Sequence, residues 1–167
     1  MAKLILIRHA KSDWSKNVID VERGLSNRGY KSCKIILKEL KKRIEKPNLF
    51  LVSPALRAQL TYQNIFENWD ISENNLSIEK NLYYGSLDEV KQNLSNKIFG
   101  FSTVAMIGHN PMFNGLIHDI PSEGHKLLPF NLVTCGVVII EFPNKKFKPR
   151  PYENGKVIDY LYPRQFL

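Results

Sequence analysis

Three short apolar segments, far apart in the chain and separated by stretches with helical spacing, constrain the fold most strongly. They are Lys3 to Ile7, Leu49 to Val52 and Thr103 to Ile107. An apolar run of this length without polar alternation is typical of a strand buried on both faces of a parallel sheet. Because parallel strands need crossover connections, we predict that strands and helices alternate along the chain.

The segments between these runs have the patterns of helices. Arg28 to Ile44 carries apolar residues at helical intervals with lysines between them, which predicts an amphipathic helix. Ser53-Pro54 predicts another helix start, with serine as the N-cap and proline as the first helical residue, and this helix should continue to about Trp69. Ser86 predicts the N-cap of a helix that ends near Ile98.

Three further strands are predicted outside the apolar runs: Ser77 to Glu79, Val133 to Phe142 and Lys156 to Tyr162, the last of them at an edge. No repeat, low-complexity tract or linker interrupts the pattern. We therefore predict a single α/β domain over residues 1–167, with a mostly parallel sheet flanked by helices on both faces.

Composition excludes several classes of protein. The 167 residues are 43% hydrophobic and 24% charged, which argues against a disordered or fibrous chain. The 2 cysteines are too few for a disulfide framework or a zinc module. No apolar stretch approaches the roughly 20 residues of a membrane span, and the first run is too short for a signal-peptide core. We expect a soluble cytoplasmic protein, and its net charge of +8 favours anionic partners.

The candidate functional residues follow the three apolar strands directly. The first strand runs into Arg8-His9, the second is followed by a helix with Arg57 in its first turn, and the third ends at Gly108-His109. Ligands of open α/β sheets bind outside the carboxyl ends of the strands, and helix side chains lean toward their own N-terminus. Two arginines and two histidines should therefore surround one point.

That set of side chains suits a phosphoryl group. Arginine forks match phosphate oxygens and stay charged, and backbone N–H groups at helix N-termini can add donors. A neutral imidazole can attack phosphorus and carry the phosphoryl group covalently, and nearby arginines disfavour its protonation. The second histidine, if protonated, would stabilise the charge of the transferring group.

Four motifs in the chain resemble those of the histidine phosphatase superfamily, which has the phosphoglycerate mutase-like three-layer fold. They are Leu6-Ile7-Arg8-His9-Ala10-Lys11-Ser12, Arg23-Gly24-Leu25-Ser26-Asn27-Arg28-Gly29, Ser53-Pro54-Ala55-Leu56-Arg57-Ala58-Gln59-Leu60-Thr61 and Gly108-His109-Asn110-Pro111. The small size of the chain, Arg-His-Ala-Lys-Ser in the first motif and the later Asn-Pro are most similar to the SixA-type phosphohistidine phosphatases. The resemblance covers about Lys3 to Phe142.

The resemblance implies a phosphatase with a covalent phosphohistidine intermediate that dephosphorylates phosphohistidine on proteins. It implies His9 as the nucleophile and Arg8, Arg57 and His109 as the rest of the phosphate pocket. It also suggests four residues that border the pocket: Arg23, Lys11, Ser12 and Asn110. No metal or organic cofactor is expected, because the arginines neutralise charge as a metal would.

The chain departs from the family pattern in the loop after the middle strand, where many members carry a carboxylate general acid. That loop reads Leu82-Tyr83-Tyr84-Gly85-Ser86 and has no carboxylate. Glu79, Asp88 and Glu89 lie nearby in sequence and Asp13 lies in the first loop, but none of them matches the family pattern cleanly. An alkoxide leaving group needs a proton in the transition state, which one of these residues or a bound water would have to supply. An imidazole, whose conjugate acid has a pKa of about 6.5, can take its proton from solvent, so phosphohistidine is favoured.

Three alternatives remain open. The first is a phosphomonoesterase of the same superfamily that acts on small molecules. The second is a non-catalytic phosphate-binding protein. The third is a nucleic-acid-binding module, which rests on the positive charge and on aromatic residues such as Tyr83, Tyr84, Phe147 and Tyr152. We expect no nucleic-acid or membrane partner, and the basic segment Lys145 to Arg150 either binds an acidic partner or is a solvated surface.

A cysteine phosphatase is excluded, because it needs an arginine six positions after its cysteine. That position holds Glu39 after Cys33 and Glu141 after Cys135. Both cysteines lie on apolar faces, and we predict that they belong to the core.

Overall fold

The computed structural model describes residues 1–167 and contains one six-stranded sheet. Its strands are β1 (Ala2–Arg8), β2 (Leu49–Val52), β3 (Leu76–Ile78), β4 (Thr103–Gly108), β5 (Val137–Phe142) and β6 (Lys156–Leu161). They are ordered β3-β2-β4-β1-β5-β6 across the sheet. The first four strands in that order are parallel, whereas β5 is antiparallel to both β1 and β6.

Five α-helices connect the strands: α1 (Asn27–Leu40), α2 (Leu56–Phe66), α3 (Asn81–Tyr84), α4 (Leu87–Ile98) and α5 (Met112–Asp119). Short 3-10 segments occur at Asp20–Glu22, Glu73–Asn75, His125–Leu127 and Pro163–Phe166. None of the helices is long and apolar enough to cross a membrane.

The core has two parts, one on each face of the sheet. Alternate residues of the central strands point to opposite faces, so that Leu4 and Leu6 join one cluster and Ile5 and Ile7 join the other. The first cluster contains buried residues of α4 and α5, and the second contains those of α1 and α2. The predicted fold class, a mostly parallel sheet with helices on both faces, is confirmed.

The predicted start of α2 is wrong. Ala55, not Ser53, is the N-cap, and its side chain makes no capping bond because it has no polar atom. The backbone is still extended at Ala55 (ψ 132°), so the helix begins at Leu56. Ser53 is fully buried, and its hydroxyl oxygen accepts a hydrogen bond from the Ala55 N–H instead (3.3 Å).

Other boundaries also shift. α1 and α2 end earlier than predicted, at Leu40 and Phe66. β5 begins at Val137 rather than Val133 because Cys135 adopts a left-handed conformation (φ 60°) that interrupts the extended chain. The capping role of Ser86 is confirmed: its hydroxyl accepts the Glu89 N–H, while the Glu89 carboxylate accepts the Ser86 N–H. Both cysteines are fully buried, as predicted.

The first turn of α1 packs tightly against the loop that follows β1. A Cβ added to Gly29 would lie 2.3 Å from the carbonyl oxygen of Lys11. That oxygen also accepts hydrogen bonds from the N–H and the hydroxyl of Ser26, the N-cap of α1 (2.9 and 3.0 Å). The absence of a side chain at Gly29 therefore lets the helix and the loop approach each other.

We predict that Gly29→Ala destabilises the fold by about 1–3 kcal/mol, although alanine is the better helix former, because the methyl group overlaps the loop backbone. The free energy of unfolding from urea titration measures the loss. Gly24→Ala is the matched control, since a Cβ there has its nearest neighbour at 3.5 Å, an ordinary contact. Equal stability of the two variants would contradict this account of the helix–loop contact.

Candidate active site

The three predicted strand ends meet at one edge of the sheet. β2, β4 and β1 are consecutive, parallel neighbours, so their carboxyl ends lie side by side. Arg8 is paired with Gly108, and the His9 N–H donates to the Gly108 carbonyl oxygen (2.8 Å). The imidazole centroids of His9 and His109 are consequently 6.3 Å apart.

His9 is held in one tautomer. Its side chain is almost fully buried, and Nδ1 lies 2.7 Å from the carbonyl oxygen of Ala10. A carbonyl oxygen only accepts, so Nδ1 must carry the hydrogen, and the lone pair is on Nε2. Burial lowers the pKa of His9 to about 4, assisted by the charges of Arg57 and Arg8 and opposed by the Ala10 hydrogen bond. His9 is therefore neutral near pH 7.

Arg8 is oriented by the loop that precedes β5. Its Nη1 donates to the carbonyl oxygen of Leu132 (2.8 Å), and the Asn110 side-chain amide donates to the same oxygen (3.0 Å). The Nε of Arg8 is buried without a partner, and burial lowers the pKa of the guanidinium. The carbonyl group of Leu132 thus orients residues from the first and fourth motifs.

Arg57 is paired with Asp20, a residue that the sequence analysis missed. Its Nη1 donates to the backbone oxygen of Asp20 (2.8 Å), and its Nη2 donates to the carboxylate (3.1 Å). The carboxylate also accepts from the Tyr83 hydroxyl (2.5 Å) and lies 3.5 Å from Arg23. The Tyr83 hydrogen bond and the Arg57 guanidinium lower the pKa of Asp20 against the effect of burial, so Asp20 is ionised.

His109 packs against Tyr83 and is close enough to Arg57 and Arg8 for their charges to affect its pKa. Its ring meets that of Tyr83 edge-on, at a centroid distance of 5.4 Å, and its Nδ1 is buried without a partner. Burial, followed by the charge of Arg57, lowers the pKa of His109, whereas Asp20 and a hydrogen bond to the Tyr83 backbone raise it. The net effect favours the neutral imidazole, so the condition that His109 is protonated is not met near pH 7.

The four bordering candidates differ in position. Arg23 is nearly buried, with its guanidinium carbon 3.6 Å from the Trp14 ring centroid, and it reaches Asp20. The side-chain amide of Asn110 donates to the Leu132 carbonyl oxygen, which also accepts from Arg8. The side chain of Lys11 is exposed, and Ser12 forms an isolated bridge with Leu25. Lys11 and Ser12 therefore contribute backbone pairing to the loop.

Of the four carboxylates weighed from the sequence, three make polar contacts elsewhere. Asp13 bonds to Ser15, and Glu89 belongs to the helix cap. Glu79 accepts from Ser77 and Asn93 and pairs with Lys97 (2.8 Å). The fourth, Asp88, lies in the first turn of α4. Asp20, not one of these four residues, is the carboxylate that contacts Arg57. The one feature of the sequence that could have indicated Asp20 is its place in the loop after Arg8-His9, three residues before Arg23.

The features that favoured nucleic-acid binding lie apart from one another. Phe147 is buried against Phe142, and the Tyr152 hydroxyl donates to the backbone of Lys91 (2.7 Å). The basic segment Lys145 to Arg150 follows β5, whose last residue pairs with Ala2 at the start of β1. It therefore lies at the opposite edge of the sheet from His9. No group of three or more His, Cys, Asp or Glu side chains is placed to hold a metal ion.

A sequence profile of the histidine phosphatase superfamily (branch 1) matches residues 4–91, slightly more than half of the chain. The matched region includes Arg8, His9 and Arg57. The chain belongs to this superfamily. This membership confirms the enzyme class that the sequence predicted, a histidine phosphatase. No curated protein matches the sequence closely enough for comparison.

Solved histidine phosphatase structures share the fold. A candidate phosphohistidine phosphatase SixA from Agrobacterium tumefaciens is 24% identical, with a TM-score of 0.79 over 97% of this chain and 99% of that one. The protein histidine phosphatase SixA complexed with tungstate is 20% identical, with a TM-score of 0.79 over 99% of each chain. A candidate alpha-ribazole-5'-P phosphatase from Escherichia coli is 12% identical, with a TM-score of 0.71 over the whole of both chains.

The buried, neutral His9 predicts a loss of stability in acid. Its pKa is about 4 in the folded chain, against about 6.5 when unfolded, so the unfolded state binds the extra proton as the pH falls through this window. We expect His9 alone to remove roughly 3 kcal/mol of stability between about pH 6.5 and 4.

Urea titrations at about pH 6.5 and pH 4 give the free energy of unfolding of the wild-type protein and of His9→Gln. The difference between the two proteins in the change with pH is the contribution of His9, because the other histidines contribute equally to both. NMR titration of His9 gives its pKa directly. A His9 pKa near 6.5, or the same pH dependence of stability in both proteins, would contradict the account.

Proposed function

We propose that this protein is a metal-independent phosphatase that removes the phosphoryl group from phosphohistidine on proteins through a phosphorylated His9. The observation that carries the proposal is the state of His9 itself. It is neutral, its Nδ1 is fixed by Ala10, and its lone pair is on Nε2, while the charges of Arg57 and Arg8 disfavour protonation of the ring. An imidazole in this state is ready to act as a nucleophile at neutral pH.

In the proposed first step, Nε2 of His9 attacks phosphorus, and the P–N bond to the substrate imidazole breaks. The leaving imidazole keeps the electron pair of that bond and takes a proton from solvent. Arg8, Arg57 and neutral His109 donate hydrogen bonds to the phosphoryl oxygens, where negative charge is concentrated. Arg23 and Asn110 border the pocket, and Lys11 and Ser12 shape its loop.

In the second step, water attacks the phosphorus of phosphorylated His9, and the bond between phosphorus and Nε2 breaks. The products are inorganic phosphate and neutral His9, and the water supplies the oxygen and the proton that balance the reaction. The same arginines remain in place, so no charge has to be brought in between the two steps.

The ionisation of Asp20 favours the phosphohistidine substrate over an alkyl phosphate. An alkoxide needs an acid to protonate it, and Asp20, the carboxylate that contacts Arg57, has a lowered pKa and no proton to give near neutral pH. An imidazole leaving group has no such need. The shared fold with two SixA proteins supports the same substrate.

A second candidate function is the hydrolysis of small phosphomonoesters. It is favoured by the likeness in fold to an alpha-ribazole-5'-P phosphatase candidate and to a phosphoserine phosphatase from Entamoeba histolytica, the latter with a TM-score of 0.64. The two functions are separated by the rates at which the protein hydrolyses the two kinds of bond.

We predict that phosphate release from a phosphohistidine peptide exceeds that from a phosphoserine peptide of the same sequence by at least about 100-fold, the usual contribution of a general acid. The assay contains a chelator, and kcat/KM is measured for both peptides. Equal values, or faster phosphoserine hydrolysis, would move the function to phosphomonoesters.

The matched pair of variants is His9→Ala and His118→Ala. His9→Ala should abolish turnover and covalent labelling by a ³²P-phosphohistidine peptide. His118→Ala, on the far end of α5, should retain both. Loss of turnover when the chelator is added would contradict the metal-independent mechanism.

The pairing of Arg57 with Asp20 predicts competition between the carboxylate and phosphate. The Asp20 carboxylate and a phosphoryl group would compete for the N–H groups of Arg57 Nη2, which donates to the carboxylate in this structure. We expect Asp20→Asn, which removes the negative charge, to bind inorganic phosphate several-fold more tightly than the wild-type protein. Calorimetric titration with phosphate measures the effect.

Asp13→Asn is the control, because Asp13 is in the same loop, carries the same charge and contacts Ser15 instead of an arginine. It should leave phosphate affinity within about twofold of wild type, since an exposed charge is screened by solvent. Weaker phosphate binding by Asp20→Asn would mean that the carboxylate orients Arg57 for phosphate and does not compete with it.

A further inference from the structure

A cavity of about 320 Å³ adjoins the phosphate pocket, and His109 is the one lining residue that takes part in the proposed mechanism. It lies between α3, the start of α4 and the start of α5. His109 and Tyr83 form the wall that it shares with the phosphate pocket, and Leu82, Leu87, Pro111 and Met112 supply much of the remaining surface. A substrate whose phosphoryl group is bound by His109 therefore has this cavity beside its leaving group.

The lining of the cavity is mostly apolar, and the hydroxyl groups of two of its polar side chains already have partners. The hydroxyl of Tyr83 donates to Asp20, and that of Ser86 accepts the Glu89 N–H. No Asp, Glu, Lys or Arg side chain lines it, so His109 is its one ionisable group apart from the tyrosine. A second phosphate, a carboxylate or a sugar placed here would lose its hydrogen bonds to water without replacement.

The shape of the cavity depends on a small residue. Gly115, one turn into α5, faces the first residue of α4, and an added Cβ would lie 3.1 Å from both methyl groups of Leu87. The missing side chain leaves room between the two helices. The space is comparable with small ligand pockets, which start at about 300 Å³.

We propose that this cavity is a subsite for an apolar side chain of the substrate protein, next to its phosphohistidine. The inference rests on the proposed function, because the phosphate pocket positions the substrate at its edge. It also narrows the substrate class: the phosphohistidine is flanked by a residue such as leucine, and small phosphometabolites with charged or sugar leaving groups fit poorly.

The test compares two phosphohistidine peptides that differ only in the residue after the phosphohistidine, leucine in one and asparagine in the other. For the wild-type protein, kcat/KM should be about tenfold or more higher for the leucine peptide, the effect of burying one apolar side chain in place of a polar one. Values within twofold of each other would overturn the proposal.

Two variants narrow the cavity, Leu87→Phe and the milder Gly115→Ala. Each should lower the ratio of kcat/KM for the leucine peptide to kcat/KM for the asparagine peptide. A general loss of activity does not change this ratio, because the same bond is broken in both peptides. Leu127→Phe, an enlargement of a half-exposed residue outside the cavity, should preserve the ratio. A ratio unchanged in both narrowing variants would overturn the assignment of the subsite to this cavity.

The same pair of sequences carrying phosphoserine separates this proposal from the proposed function. Calorimetric binding of the two phosphoserine peptides to the His9→Ala variant requires no turnover. Tighter binding of the leucine peptide supports the subsite even if the phosphohistidine peptides are not hydrolysed, in which case only the proposed reaction fails. Equal binding of both peptides overturns the subsite whatever the enzyme hydrolyses.

Discussion

The parallel pairing of β1 with β4 is the constraint on which the pocket depends. Their register places Arg8 opposite Gly108, and the next residue in the sequence is a histidine in both cases, His9 and His109. Side chains alternate between the faces of a sheet, so a slip of one residue would move a whole strand's apolar side chains to the wrong face. Two separate hydrophobic clusters, one on each face, fix that register. The packing of the core thus fixes the distance between the imidazoles.

Burial acts on the reactive groups in a common direction. It lowers the pKa of His9, His109 and Arg8, because each would be more stable neutral when removed from water. For His9 the result is a free lone pair at neutral pH. For Arg8 the Nε hydrogen is buried without a partner, and an unpaired buried donor costs free energy in the folded chain. The charges of the arginines contribute to the neutral state of His9, as predicted, but burial is the larger cause.

The sequence predicted what depends on local pattern and on topology. The apolar runs predicted the central strands, and the rule that ligands bind at the carboxyl ends of strands predicted that Arg8, His9, Arg57 and His109 lie together. The sequence did not predict Asp20, which reaches the site through contacts with Arg57 and Tyr83 at separations of 37 and 63 residues. No periodicity encodes such contacts. The error at Ser53 has a related cause, because tertiary burial gave its hydroxyl a different backbone partner.

Asp20 connects parts of the site that are distant in sequence. Its carboxylate accepts hydrogen bonds from Arg57 and from the Tyr83 hydroxyl, and the Tyr83 ring packs against His109 beside the apolar cavity. One carboxylate therefore links the first turn of α2 to α3 and, through the tyrosine ring, to the end of β4. Its negative charge also lies beside the Arg57 guanidinium, and the two groups stabilise each other's charged form. The arrangement of the cationic side chains thus depends on an anionic residue as well as on the ends of the strands.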